Sequence, residues 1–155
     1  MITAWRLVDV RYAGDAFNGE GAYRTKGRWH SAGTRIVYTA QNASLATLEL
    51  VARTRRPQLL PEYTLISCHF HETLVEEVDQ SRLPADWYDS PPPPELQQIG
   101  TAWARARSSA ILAVPSAIVP SELNYLLNPE HPDFRSVEIG LPRLYLSGRQ
   151  MRTMR

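Results

Sequence analysis

Residues 4–12 alternate, with Trp5, Leu7 and Asp9 on one side and Arg6, Val8 and Val10 on the other, which predicts a first strand with one buried face. A stretch rich in glycine follows. Gly14, Gly19, Gly21, Gly27 and Gly33 are interleaved with Asp15, Asn18 and Ser31, the pattern of a long loop, and long ordered loops tend to carry function. The β-branched and aromatic run 35–39 (Arg-Ile-Val-Tyr-Thr) predicts a short strand. From residue 44 the spacing becomes helical: Ser44 is the expected N-cap, Leu45, Leu48, Glu49 and Ala52 share a face, and Pro57 stops the helix after Arg56. Glu49 is thereby expected on the apolar, inward side, where a carboxylate needs a reason to be.

Residues 63–70 predict a further strand, and 74–78 a short continuation of it after a turn. Residues 83–94, with four consecutive prolines from Pro91 to Pro94, read as a surface connection inside one domain, and a helix is expected from Glu95 to about Arg107. The apolar run 110–114 predicts a strand ending at Pro115-Ser116, and 137–139 and 144–146 complete the sheet. Strands and helices mix without strict βαβ alternation, so the expected class is α+β.

Composition narrows this picture. A length of 155 residues fits one domain, 1–155, and 43% hydrophobic with 21% charged residues is ordinary for a folded chain. The net charge of +1 gives no electrostatic reason to expect a nucleic-acid ligand. Of the 17 basic residues only Lys26 is a lysine, and guanidinium groups suit phosphate recognition. With Cys68 alone, neither an intramolecular disulfide nor a thiolate zinc cluster is expected. The first residues lack a basic segment followed by an apolar run, and no run of about 18 apolar residues occurs, so a cytoplasmic location without membrane insertion is expected.

The common catalytic signatures are missing: no G-x-S-x-G elbow, P-loop, dinucleotide fingerprint or H-E-x-x-H is present. His69 and His71 share a side of their strand without a clear third ligand, and Glu72, Glu76, Glu77 and Asp79 read as a solvated edge, so no metal is expected. What remains is more specific. Gly27-Arg28-Trp29-His30-Ser31-Ala32-Gly33, Val37-Tyr38-Thr39 and the stretch from Ala43 to Glu49 form one group. Val114-Pro115-Ser116-Ala117 with Glu122, Asn124, Asn128-Pro129 and His131-Pro132 form a second.

These two groups resemble the signatures of the RES family of bacterial toxins, over segments of about 5–56 and 110–147. His30 stands where that family commonly has asparagine, and Ser147 where aspartate is usual. The resemblance implies a fold like that of ADP-ribosyltransferases of the diphtheria-toxin type, with two small mixed or antiparallel sheets and helices around an NAD⁺ cleft. It assigns the active-site roles to Arg28, Tyr38, Glu49 and Ser116, and NAD⁺ contacts to Arg28, Tyr38, Gly27, Trp29 and Asn124. NAD⁺ is then the substrate rather than a prosthetic group. The implied partner is an Xre-like helix-turn-helix antitoxin in a hetero-oligomeric complex.

The chemistry of these residues agrees. Breaking the nicotinamide–ribose bond passes through an oxocarbenium-like sugar, which a carboxylate such as Glu49 stabilises. Arg28 suits a bidentate clamp on the pyrophosphate, Tyr38 a stacking face and a hydroxyl to orient nicotinamide, and Ser116 a contact to the carboxamide or a ribose hydroxyl. The expected activity is NAD⁺ degradation by hydrolysis or phosphorolysis; alternatives are protein ADP-ribosylation at the same site and a binding module without turnover. A ribonuclease is disfavoured by the near-neutral charge.

Overall fold

Strand β1 (Ile2–Asp9) ends sooner than its alternation predicts, because Asp9 turns the chain: its carboxylate accepts the backbone N–H of Arg11 at 2.9 Å and opens a 3-10 turn over Val10–Asp15. The structure is a computed structural model, and it describes residues 1–56 and 62–146. The glycine-rich stretch contains a short helix, α1 (Glu20–Arg24), which starts from Gly19 at a φ of 74°. Strand β2 (Val37–Ala40) leads into α2 (Ala43–Arg53). The cap of α2 is Asn42 rather than Ser44: its side-chain oxygen accepts the N–H of Leu45 at 2.7 Å. The helix ends at Arg53, before Pro57, which lies outside the described residues, as does Ser147.

The inward face of α2 is rotated from the expected one. Leu45, Ala46 and Leu50 are buried against Ala40 and Leu7, while Leu48 is 45% exposed and Ala52 is exposed. Glu49 is next to Leu50 at the border of that face and is half-buried. Strand β3 (Tyr63–Phe70) is as predicted, but the segment after it, β4 (Val75–Glu77), does not continue it. It pairs in parallel with β5 (Ile111–Pro115), which follows helix α3 (Pro94–Ala106). Pro94 opens α3, where its missing N–H costs nothing.

Strand β6 (Leu123–Leu127) has no counterpart in the sequence reading, and it lies in the middle of the sheet. Its sequence, Leu-Asn-Tyr-Leu-Leu, does not alternate, since its last three residues are all buried. The short β7 (Glu138–Ile139) and β8 (Arg143–Leu146) both pair with β3.

Eight strands form one sheet in the order β4-β5-β6-β2-β1-β3-β7, with β8 also on β3, antiparallel except for β4 with β5. The chain is therefore α+β, but the two small sheets expected are joined into one. The join is narrow: β1 pairs with β3 from Ile2 to Asp9, yet meets β2 only at Trp5 opposite Ala40. Beyond that point the guanidinium of Arg6 donates to the Tyr38 carbonyl at 2.9 Å, taking the place of a ladder hydrogen bond.

One face of the sheet carries Val37, Ile66, Phe70, Ile111 and Leu127 in the larger core. On the other face α3 and the 27–30 loop cover Leu112, Val114 and Leu126, with Trp29, Leu96 and Trp103 buried between. Gly100 makes this packing feasible, since a Cβ there would lie 1.7 Å from the Trp29 carbonyl oxygen. Tyr38 and Ala40 share a parity on β2, so α2, on Ala40, and α3 with its loop, against Tyr38, lie on the same face. Between them β2 and β6 form the floor on which the site residues stand.

Candidate active site

Glu49 projects from α2 over this floor, and both its oxygens are held from beneath. Oε1 accepts the Ser116 hydroxyl at 2.9 Å and Oε2 accepts Nδ2 of Asn124 at 3.1 Å. Register explains the convergence. Asn124 on β6 stands opposite Ala40 of β2 and Val114 of β5, and Ser116 follows the end of β5. The second Nδ2 hydrogen of Asn124 reaches the Thr39 carbonyl at 3.3 Å. Each carboxylate oxygen keeps a lone pair for a ligand.

Burial is the main force raising the Glu49 carboxyl above its ordinary 4.5, opposed by the hydrogen bonds from Asn124 and Ser116 and by the charge of Arg53. Glu122 adds a smaller push in the same direction as burial.

Ser116 is fully buried, and its hydrogen-bonding capacity is spent. Its proton goes to Glu49, and its oxygen accepts the N–H groups of Ile118 and Val119, each at 3.1 Å. The contact to carboxamide or ribose expected of it is not available, so Ser116 is a positioning residue for Glu49. Ser116→Ala should lower turnover about tenfold and stability by about 1–2 kcal/mol, as two N–H groups lose their acceptor and Glu49 its donor. Steady-state rates and thermal unfolding would read both; unchanged turnover would rule this role out.

The second group gathers on the α3 side of the same face. Residues 27–30 form a tight turn, with Gly27 N–H donating to the His30 carbonyl at 3.1 Å and Gln97 donating to the Gly27 carbonyl at 3.0 Å. Arg28, at its tip, donates through one nitrogen, Nη1, to the carbonyls of Trp87 (2.9 Å) and Asp89 (2.8 Å). The proline-rich connection thus fixes the guanidinium, and Nε and Nη2 remain for a bidentate ligand. Burial lowers the Arg28 pKa from its ordinary value, against the influence of Tyr38 and Asp89.

Tyr38 stands opposite Leu126 on β6, one pair along from Ala40 and Asn124 on the same face, so its ring adjoins the Glu49 group. Its hydroxyl accepts the Trp29 N–H at 3.1 Å and lies 2.7 Å from His30 Nδ1. Burial raises its pKa strongly. The Trp29 indole is 1% exposed in the core, so its side chain faces no ligand, and its backbone N–H donates to Tyr38. Gly27 is forced by space: a Cβ there would lie 2.6 Å from His30 Cε1 and 3.0 Å from the Tyr38 hydroxyl.

Arg6 is a buried arginine beside Tyr38 that sequence reasoning passed over. Burial, then Arg53, bring its pKa down to about 10, and its Nε is buried with no partner among the described residues. The signal was an arginine in the same row as Val8, a core position. Elsewhere, His69 bonds Thr3 and His71 caps a 3-10 turn, and among the described residues no group of three or more His, Cys, Asp or Glu could hold a metal ion. Burial pushes the Cys68 thiol up to about 12. No helix among the described residues is long and apolar enough to cross a membrane.

Fold and site together define an α+β domain with a hydrogen-bonded carboxylate and an arginine turn over the same face of a pinched sheet. The RES domain family matches residues 3–147, and the chain belongs to it. It is 38% identical to Toxin Res of Photorhabdus laumondii over 130 residues, 84% of this chain and 83% of that one. It is 35% identical to the Prs ADP-ribosylating toxin of a Sphingobium species over 147 residues, 92% and 91% of the two chains. Its fold is similar to a chain in the crystal structure of the M. tuberculosis MbcT–MbcA toxin–antitoxin complex, with a TM-score of 0.76, 20% identity, and coverage of 99% of this chain and 88% of that chain.

Proposed function

We propose that this protein is the toxin of a toxin–antitoxin pair and cleaves NAD⁺ at the nicotinamide–ribose bond. The observation that carries the reading is Glu49: a half-buried carboxylate, hydrogen-bonded from below by Ser116 and Asn124, over the sheet face on which Tyr38 and the Arg28 turn also lie. In this reading the C1′–N bond breaks with its electron pair going to the pyridinium nitrogen, and nicotinamide leaves neutral. The Glu49 carboxylate stabilises the oxocarbenium-like sugar. Arg28 binds the pyrophosphate through Nε and Nη2, the Gly27 backbone allows a close approach, and the Tyr38 ring stacks on nicotinamide. NAD⁺ is substrate here, and no prosthetic group or metal takes part. The partner would be a helix-turn-helix antitoxin of the Xre-like kind.

The acceptor at C1′ decides between hydrolysis, phosphorolysis and transfer to a protein. The relative named as an ADP-ribosylating toxin favours transfer as the second reading. Purified protein incubated with NAD⁺, with and without phosphate and with candidate proteins, separates them by product. Free nicotinamide with ADP-ribose, or with its 1-phosphate, supports degradation. Labelled protein supports transfer, and NAD⁺ bound but intact would reduce the chain to a binding module.

A further inference from the structure

His30 is 2% exposed, and when its ring is neutral its hydrogen bonds have only one consistent direction. Its Nε2 lies 3.0 Å from the Ala22 carbonyl oxygen and 2.8 Å from that of Thr25. Carbonyls only accept, so Nε2 carries the ring proton. In the neutral ring Nδ1 is then an acceptor, and the Tyr38 hydroxyl, 2.7 Å away, is its donor. The Tyr38 oxygen takes the Trp29 N–H on one lone pair. A directed relay therefore runs from Tyr38 through His30 to the carbonyls of Ala22, inside α1, and Thr25 at its end.

Two consequences follow. With the ring neutral the phenol proton is turned towards His30, so Tyr38 offers a ligand its ring face and one lone pair, but no donor. The ring also fills the space behind Gly27, which leaves the Arg28 turn no room to shift inward. An asparagine at this position would have its amide near the place of Nδ1 and would be too short for the Ala22 and Thr25 carbonyls. The arm to α1 is a property of histidine.

We infer that His30 is a positioning residue that ties α1 to the arginine turn and to Tyr38, and so governs how tightly the cleft grips its dinucleotide rather than how fast the bond breaks. This rests on the NAD⁺ reading above. The test compares nicotinamide release by the full-length protein and by His30→Ala, His30→Asn and His30→Gln. Asparagine keeps the acceptor for Tyr38, and glutamine keeps the donor to the two carbonyls.

His30→Ala should raise KM for NAD⁺ about tenfold with kcat within about threefold, and each conservative variant should recover part of the KM. An unchanged KM in a folded His30→Ala protein would overturn the inference, as would a fall in kcat at constant KM. If His30→Ala does not fold, the other two carry the test: a KM equal to wild type in both would overturn it. Nitrogen NMR of the wild-type ring tests the relay without any turnover. A proton on Nε2 is expected, and one on Nδ1 would sink the inference, whereas a wild type that releases no nicotinamide and labels no protein sinks the NAD⁺ reading instead.

Discussion

Glu49→Ala is expected to lower nicotinamide release by about 10³-fold while the protein stays folded, because the carboxylate opposes the positive charge that develops at C1′ and little else in the cleft can. The helix should survive, because its buried row is Leu45, Ala46 and Leu50 and Glu49 is not part of it. Alanine leaves the fully buried Ser116 hydroxyl and the Asn124 amide without their acceptor, so a stability loss of about 1–2 kcal/mol is expected beside the loss of rate. Rates by product chromatography, with circular dichroism for the fold, give the answer, and a folded variant at wild-type rate would remove Glu49 from the mechanism.

The same residue sets a pH dependence. Burial raises its pKa above 4.5, so the ionised, active form is lost as pH falls through a value higher than that of a free glutamate. The acid limb of the rate profile should lie above pH 4.5. For stability the sign is opposite to that of a salt-bridged carboxylate: the folded state binds this proton more tightly than the unfolded chain, so ionising Glu49 on going to neutral pH costs stability. An acid limb at or below 4.5 would mean that another group controls the rate.

Arg28→Ala should lower kcat/KM for NAD⁺ about 100-fold, mostly through KM, since two charge-assisted hydrogen bonds to the pyrophosphate go with the side chain. Arg28→Lys should do little better. Lysine has the charge, but it lacks the planar fork that meets the Trp87 and Asp89 carbonyls with one nitrogen and leaves two N–H groups for a ligand. A titration with NAD⁺ followed by calorimetry in the Glu49→Ala background, where substrate is not consumed, would measure the binding part directly. Equal affinity with and without Arg28 would disprove the clamp.

Several parts of the site were legible because their signals are local. Helical spacing placed Glu49 on the sheet side of α2, although it chose Leu48 and Ala52 as companions where the fold chose Ala46 and Leu50. The error is a rotation of the face, and it arose because Leu48 is apolar yet lies at the surface, where lone apolar residues are common. The sequence held no sign that the Trp29 indole is enclosed, because that depends on Gly100 letting α3 approach closely.

Strand β6 was missed because a strand buried on both sides loses its alternation, and with it went the reason for Asn124. Once β6 lies between β2 and β5, register alone brings Asn124 to the floor beneath Glu49. The Arg6 guanidinium was overlooked in the same way. Its place depends on the single contact at Trp5 and Ala40, after which β1 and β2 separate.

The amino-acid sequence by itself determined the α+β class, most of the elements, the family, and the identity of the arginine, tyrosine, glutamate and serine, because periodicity, capping and short motifs act over a few residues. The tertiary structure decided what each of them does. Ser116 and Glu49 are 67 residues apart in the chain, and Asn124 and Glu49 are 75 apart. Those bonds, and the direction of the proton between Tyr38 and His30, depend on strand register and on which nearby carbonyls are left to accept. Hydrogen bonds work only within about 3 Å and in fixed directions, so such roles exist only once the sheet has brought distant segments together.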